Sequence, residues 1–178
     1  KEYKNCIPNI YKENGFKTFY IHTSGLDLFA RRRLMPLFGF DNLISPSESI
    51  REENIFQRIY RCATKMYCSK SDVESYKYIS NYINKNKQDN LFINLLTVDL
   101  HGPYRSSIFK KQSELDIYKG RAGDSIIELT SFLGQLISSN NSNAEFFIIV
   151  SSDHPPALTS LNNNDLKGFN NAFKIYLK

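Results

Sequence analysis

The stretch Leu91-Phe-Ile-Asn-Leu-Leu-Thr97 is a nearly continuous apolar run, and Phe146-Phe-Ile-Ile-Val150 repeats the pattern. Runs of this length fit buried parallel strands, whose side chains are apolar on both faces. Between them, apolar side chains recur at helical spacing from Asp124 to Ile137. A strand, a helix and a second strand in this order form the building block of an α/β sheet. The sequence therefore predicts an α/β fold with a mainly parallel sheet, helices on both faces, and both runs as interior strands of that sheet.

The alternation of strands and helices continues on either side of this unit. Lys17–His22 is rich in strand-forming residues and follows the turn signal Asn14-Gly15. Ser71-Asp72 is a suitable helix cap. The remaining predicted elements are a helix from Leu26 to Phe38, a strand from Phe40 to Ile44, helices over Glu52–Met66 and Val73–Ile83, and a strand over Phe173–Leu177. No linker or internal repeat divides the 178 residues, so residues 1–178 are predicted to be one domain.

Charge and composition narrow the range of partners. The formal net charge is +5, and no run approaches the ~20 apolar residues that a membrane-spanning helix needs. Arg31-Arg32-Arg33 is the one tight basic cluster, and no nucleic-acid-binding signature accompanies it, so we expect no nucleic-acid partner. A mildly basic surface suits anionic headgroups or phosphorylated substrates, although it is also compatible with no anionic partner at all.

The three cysteines do not form a metal-binding or redox motif. Cys62 and Cys68 are close in sequence, and Cys6 stands apart. A Cys62–Cys68 disulfide is compatible with a protein that works outside the cytoplasm. Spacing alone leaves this pairing open.

Polar residues follow the apolar strands at the places where strands end. His101 comes shortly after the first run, Asp153-His154 comes shortly after the second, and His22 ends a predicted strand. Ligands of open α/β sheets bind beyond the carboxyl ends of the strands. We therefore expect Asp153, His154 and His101 to meet in one cleft, with His22 and Arg31 on its rim.

Asp153-His154 combines a carboxylate with an imidazole, and both are ligands for Zn²⁺ or Mn²⁺. Just past a strand end, the chain can turn both side chains toward one ion, and Pro155-Pro156 would stiffen that turn. The dipeptide alone is a weak signal, because Asp153 could equally cap a following helix beside a surface histidine.

Taken together, these segments resemble the sulfatase-like branch of the alkaline phosphatase superfamily, which includes lipoteichoic acid synthases and phosphoethanolamine transferases. Ser152-Asp153-His154 resembles the family's metal-binding Asp-His, and His101-Gly102-Pro103-Tyr104 resembles its His-Gly-Pro-Tyr segment. The stretch from Gly15 to Asp41 and that from Tyr118 to Leu136 resemble family segments in the same order.

The resemblance implies a role for particular residues. Asp153 and His154 would bind a divalent metal ion, with Zn²⁺ or Mn²⁺ favoured and Mg²⁺ as a further candidate. His101 would contact the transferred phosphate and act as a catalytic residue, and His22, Phe29 and Arg31 would surround the phosphoglycerol group. Arg31 could instead be a solvated member of a basic helix, and His22 a buried histidine with a structural hydrogen bond.

The resemblance also implies a location. Cys62 and Cys68 fall where phosphoethanolamine transferases have a short disulfide loop, which would place the domain on the extracytoplasmic face of a bacterial inner membrane. Upstream helices outside this chain would then anchor it to the membrane.

Some positions depart from the family. Ser24 stands where the synthases have an Asp, and Phe29 where a Trp is common. The nucleophilic Thr has no counterpart here, so we expect the chain to be the C-terminal part of a catalytic domain, inactive without its upstream segment.

The function implied is transfer of a phosphoethanolamine or phosphoglycerol group from a phospholipid headgroup onto an envelope glycan or lipid. One alternative is a sulfatase or phosphodiesterase on the same fold, which the residue at the nucleophile position would distinguish. Another is a non-catalytic phosphate-binding relic, which metal content would distinguish.

Overall fold

The computed structural model describes residues 3, 5–48, 55, 56, 59, 71–102, 104, 112–139, 145–151 and 173–177. The chain divides into two compact units, Lys1–Asp99 and Leu100–Lys178. Most of the predicted helix over Glu52–Met66 lies outside the described residues.

The first unit contains helices α1 (Ile7–Glu13), α2 (Arg31–Leu34) and α3 (Asp72–Lys85), and strands β1 (Lys17–His22), β2 (Asn42–Ile44) and β3 (Leu91–Leu96). The 3₁₀ turns Leu28–Ala30 and Met35–Phe38 flank α2. The strand order is β2-β1-β3, with both pairings parallel. β1 is the central strand of these three, and five of its six residues are buried. The predicted α/β fold with a parallel sheet is confirmed.

Helices cover both faces of β1. On one face, the core consists of Tyr20, Leu26 and Phe40, and Phe92 of β3 packs against it. Tyr11 of α1 stacks on Phe92 with ring centroids 4.7 Å apart. Successive residues of a strand face opposite ways, so odd-numbered side chains of β1 reach the other face.

That other face packs against α3. Phe19 contacts Tyr82 edge to face with ring centroids 4.7 Å apart. Ser71 begins the helix as predicted, since its side chain accepts a hydrogen bond from the Val73 N–H. α3 therefore lies on the opposite face from α1, which confirms helices on both faces of the sheet.

The predicted continuous helix from Leu26 to Phe38 is wrong. Phe29 and Ala30, which belong to the 3₁₀ turn Leu28–Ala30, have positive φ angles of 55° and 54°. These angles break the helical path just before α2 begins. A left-handed conformation is uncommon for a residue with a bulky side chain and costs about 1–3 kcal/mol when the fold imposes it. Helical spacing of apolar residues cannot reveal such a break, because the break depends on tertiary contacts.

The second unit contains helix α4 (Glu114–Ser139) and strands β4 (Phe146–Val150) and β5 (Phe173–Leu177). α4 begins ten residues before the predicted Asp124, because Ser113 caps it. Ser113 Oγ accepts a hydrogen bond from the Asp116 N–H at 3.1 Å and donates to the Asp116 carboxylate at 2.6 Å. Of the apolar residues that recur at helical spacing in this segment, Phe132 and Leu136 are buried, whereas Ile126, Ile127 and Ile137 are exposed.

The prediction that both apolar runs are strands with parallel partners is wrong for Phe146–Val150, and the prediction that both lie inside one sheet stays a prediction. In the second unit, β4 pairs antiparallel with β5. Within the described strands of the first unit, β3 pairs with β1. Exposure alternates along β4, so this apolar run is not buried on both faces. An apolar run predicts a strand, but it does not indicate whether the partner strand is parallel or antiparallel.

Candidate functional site

His22 is the last residue of β1, and its side chain is only 3% exposed. Its Nδ1 atom has no hydrogen-bond partner among the described residues. Burial lowers the pKa of His22, and the nearby charge of Arg31 lowers it further, while the Ser24 backbone and Glu48 act in the opposite sense. The imidazole is therefore neutral at pH 7. Its Nδ1 is a buried polar atom that a ligand could satisfy by a hydrogen bond.

Arg31 lies on the turn that follows β1. Its Nη1 donates a hydrogen bond to the Leu28 carbonyl oxygen at 3.1 Å, and its guanidinium carbon lies 4.9 Å from the centroid of the Phe29 ring. The Phe29 side chain is 72% exposed. The structure thus brings Arg31 against Phe29 and close enough to His22 for its charge to act on the imidazole.

Glu48 holds this turn in place, a role that no local sequence pattern indicates. Its carboxylate accepts hydrogen bonds from the Leu26 N–H and from Arg32 Nη2, each at 2.7 Å. Arg32 Nε also donates to Asp27 at 2.9 Å. The strained turn is therefore fixed by charged contacts that tie it to the loop after β2, and Arg31 is not part of that ion-pair set.

A buried polar joint connects the end of β3 with the start of α3. Asp72, which is 2% exposed, accepts hydrogen bonds from the backbone N–H groups of Val98 and Asp99, both at 2.9 Å. The Asp99 carboxylate in turn accepts from the Asp72 N–H at 2.8 Å and from Ser71 Oγ at 3.0 Å. Asp99 therefore caps α3 at its first turn.

His101 lies in the second unit, on a segment anchored to α4. The Tyr104 hydroxyl donates to the Leu100 carbonyl oxygen at 2.6 Å, and Arg121 Nη1 donates to the His101 carbonyl oxygen at 3.3 Å. Arg121 also lies 5.6 Å from the centroid of the Tyr104 ring. His101 itself is partly buried, with Nδ1 3.2 Å from the Gly102 carbonyl oxygen. These contacts fix the backbone that carries the imidazole.

The remaining predicted site residues, Asp153, His154, Cys62 and Cys68, lie outside the described residues. Their convergence with His101 therefore stays a prediction. No group of three potential metal ligands occurs within the described part of the chain. In that same part, no helix is long and apolar enough to cross a membrane.

Cys6 is a free cysteine among the described residues. If Cys62 and Cys68 are bonded, thiol labelling of the unfolded and unreduced chain will detect one free cysteine. Labelling after reduction, as the control, will detect all three. Three labelled cysteines before reduction would remove the disulfide and the main argument for an extracytoplasmic location.

The sequence matches the model of the Sulfatase family over residues 1–174. This chain belongs to the sulfatase family. The resemblance to the sulfatase-like branch of the alkaline phosphatase superfamily is thereby confirmed. No curated protein sequence matches the chain.

Solved structures share the fold of this sulfatase-family chain. The lipoteichoic acid synthase LtaP from Listeria monocytogenes is 19% identical with a TM-score of 0.65, and the match covers 92% of this chain and 40% of LtaP. An alkaline phosphatase superfamily protein from Vibrio parahaemolyticus is 18% identical with a TM-score of 0.64, covering 96% of this chain and 40% of that one.

The phosphoglycerol transferase GacH from Streptococcus pyogenes, solved in complex with sn-glycerol-1-phosphate, is 19% identical. Its TM-score is 0.61, and the match covers 91% of this chain and 44% of GacH. This sulfatase-family chain thus spans about two fifths of the length of the structures it resembles. At these identities the likeness concerns the fold.

Proposed function

We propose that this chain is part of a metal-dependent transferase that moves a phosphoglycerol or phosphoethanolamine group from a phospholipid headgroup onto an envelope glycan or lipid. The observation that supports it most is the arrangement at the carboxyl end of β1. There a buried neutral imidazole with an unpartnered nitrogen, His22, lies within electrostatic range of Arg31, whose neighbour Phe29 is held out on a strained turn. The phosphoglycerol transferase among the similar structures supports the same substrate class.

Arg31 and His22 have complementary roles in this proposal. A guanidinium can hold two phosphoryl oxygens at once through its planar set of donors. The neutral His22 can donate a hydrogen bond to a third oxygen or to a headgroup hydroxyl without adding a second positive charge. The exposed Phe29 ring offers an apolar face to the carbon skeleton of the headgroup.

His101 is the proposed general acid. It would protonate the oxygen of the leaving alkoxide as the bond from phosphorus to that oxygen breaks. Tyr104 and Arg121 hold the backbone that carries this imidazole through hydrogen bonds to the Leu100 and His101 carbonyl oxygens. An acid placed in this way contributes about 10²–10⁴-fold to a rate.

Asp153 and His154 are the proposed metal ligands. A carboxylate oxygen and an imidazole nitrogen are donors that fit Zn²⁺ or Mn²⁺, and further ligands would come from elsewhere in the protein. Bound there, a divalent ion would lower the pKa of a coordinated hydroxyl and polarise the phosphoryl group. The Cys62–Cys68 disulfide and an extracytoplasmic location belong to the same proposal.

Arg31→Ala is expected to weaken binding of sn-glycerol-1-phosphate to the full chain by about 10- to 100-fold. Loss of hydrogen bonds to a charged group costs about 1.5–3 kcal/mol. Isothermal titration calorimetry measures the change, and Arg33→Ala is the matched control, because Arg33 is an exposed residue of the same helix α2. Equal affinity of Arg31→Ala and the unmodified chain would contradict the proposed phosphate site.

The reaction type is tested by identifying the products that the complete gene product forms from a phospholipid or from an aryl sulfate. Transfer from phosphatidylglycerol or phosphatidylethanolamine would release diacylglycerol and leave the headgroup phosphate covalently attached to the enzyme or the acceptor. Diacylglycerol with free headgroup phosphate would instead indicate a phosphodiesterase, and release of sulfate from an aryl sulfate would indicate a sulfatase. Binding without any of these products would leave the non-catalytic alternative.

A further inference from the structure

The turn after β1 exposes apolar side chains next to arginines. Phe29 is 72% exposed and Leu34 is 40% exposed, and Ala30 between them is also exposed. The positive φ angles of Phe29 and Ala30 fix the backbone in the arrangement that holds the phenyl ring out. Folding usually hides a side chain of this size, so an exposed ring on a strained backbone calls for a partner.

The charge of the same segment favours an anionic partner. Leu28–Leu34 contains three arginines and no acidic residue. Arg32 is paired with Asp27 and Glu48, whereas Arg31 and Arg33 have no carboxylate partner among the described residues. The paired Arg32 anchors the turn, and two cationic groups remain on the same short segment as the exposed Phe29 and Leu34.

We propose that the segment Phe29–Leu34 docks on the surface of an anionic lipid bilayer. Phe29 and Leu34 would enter the headgroup region, and Arg33 would pair with lipid phosphates. An apolar tip flanked by arginines is the composition that binds at this interface, where aromatic and basic side chains meet lipid together. Such a surface would present the headgroup to Arg31 and His22 beside it.

This proposal rests on the proposed function only for the choice of lipid, since a transferase using a phospholipid headgroup must meet its substrate at a bilayer. Binding to vesicles requires no turnover, so it is tested separately from catalysis. Arg33 and Leu34 have no role in the proposed headgroup site. Their variants should therefore keep the affinity for soluble sn-glycerol-1-phosphate.

The full chain contains no tryptophan, so Phe29→Trp introduces a single fluorescent reporter. With vesicles of equimolar phosphatidylglycerol and phosphatidylcholine, its emission is expected to shift to shorter wavelength and to be quenched by brominated acyl chains. Soluble sn-glycerol-1-phosphate should not reverse the shift or the quenching, because occupying the headgroup site does not displace the segment Phe29–Leu34 from the bilayer. Unchanged emission with these vesicles, or a shift reversed by the soluble ligand, would overturn the proposal.

Co-sedimentation with the same vesicles measures the contribution of charge. Arg33→Ala is expected to lower partitioning about fivefold, as expected for one basic residue near an anionic surface, and Leu34→Ser is expected to lower it as well. Lys87→Ala is the matched control, because Lys87 is an exposed residue just before β3, at the opposite end of the parallel strands from the turn after β1.

Equal losses for Arg33→Ala and Lys87→Ala would mean that net charge alone drives binding, and this would overturn the proposed surface. Equal binding to pure phosphatidylcholine vesicles would do the same. Circular dichroism of each variant verifies that the fold is retained, and Phe29→Trp tests insertion even if Leu34→Ser does not fold.

Discussion

Asp153→Ala in the complete protein is expected to lower the rate of headgroup transfer by about 10³-fold or more. A bound divalent ion contributes several kcal/mol of charge stabilisation in the transition state, and each 1.4 kcal/mol corresponds to a factor of about ten. Loss of the proposed carboxylate ligand should also lower the metal content of the purified protein, which can be measured without any activity assay.

The matched control for this variant is Asp124→Ala. Asp124 is an exposed carboxylate on α4, and its removal is expected to leave the rate, the metal content and the fold unchanged. Thermal unfolding of Asp153→Ala should remain cooperative, because the substitution is expected to impair catalysis and not folding. Full transfer activity in Asp153→Ala would defeat the metal role, and full metal content with lost activity would reassign Asp153 to another catalytic step.

The strands and their order of appearance could be predicted from the sequence because each depends on a local pattern. Lys17–His22 and Phe173–Leu177 have the same bounds in the structure as in the prediction, and the Ser71 cap of α3 is also local. Turn signals, caps and apolar runs all act within a few residues, so one sequence is enough to read them.

The parts that could not be predicted depend on contacts between distant residues. Glu48 binds Leu26 across 22 positions, and Asp72 binds Asp99 across 27. The left-handed pair Phe29 and Ala30 breaks a segment that has good helical spacing, because the tied loop imposes its shape. The antiparallel partner of β4 depends likewise on a strand more than twenty residues away.

Some features of the candidate site depend on local sequence and could be predicted, whereas others depend on contacts between distant residues and could not. Histidines at strand ends could be located from sequence, since strand ends follow from apolar runs, and His22 is indeed the last residue of β1. Its buried, unpartnered Nδ1 and the charge of Arg31 near it could not be predicted, because both depend on how the turn after β1 folds back.

Asp72→Ala is expected to lower the free energy of unfolding of the full chain by about 2–5 kcal/mol. The substitution leaves two partly buried N–H groups, those of Val98 and Asp99, without their acceptor, and each unsatisfied buried donor costs about 1–3 kcal/mol. Urea unfolding measures the loss. Glu74→Gln is the matched control in the first turn of the same helix, where a surface pair with Lys77 contributes at most about 1 kcal/mol.

The variant Asp72→Asn separates hydrogen bonding from charge. The asparagine retains one of the two side-chain oxygens. At pH 7, Asp72→Asn should therefore lower the free energy of unfolding by less than Asp72→Ala does. Burial raises the pKa of Asp72, and repulsion from Asp99 raises it further, while hydrogen bonds from the backbone of Asp99 and Val98 and from Thr23 act in the opposite sense. A raised pKa in the folded state means that the native protein binds this proton more tightly than the unfolded chain does.

The stability linked to this proton is therefore fully present below the unfolded pKa of 3.8 and is lost as the pH rises through the folded value. The amide of the Asp72→Asn variant cannot bind the proton, so the difference in unfolding free energy between the unmodified chain and this variant should be larger at pH 4 than at pH 7. A difference that grows toward neutral pH would show that the charged carboxylate is favoured in the folded state. The hydrogen bonds from Val98 and Asp99 would then stabilise the ionised carboxylate of Asp72 more than burial destabilises it. The pKa of Asp72 would be lowered in the folded state, and the direction assigned here would be wrong.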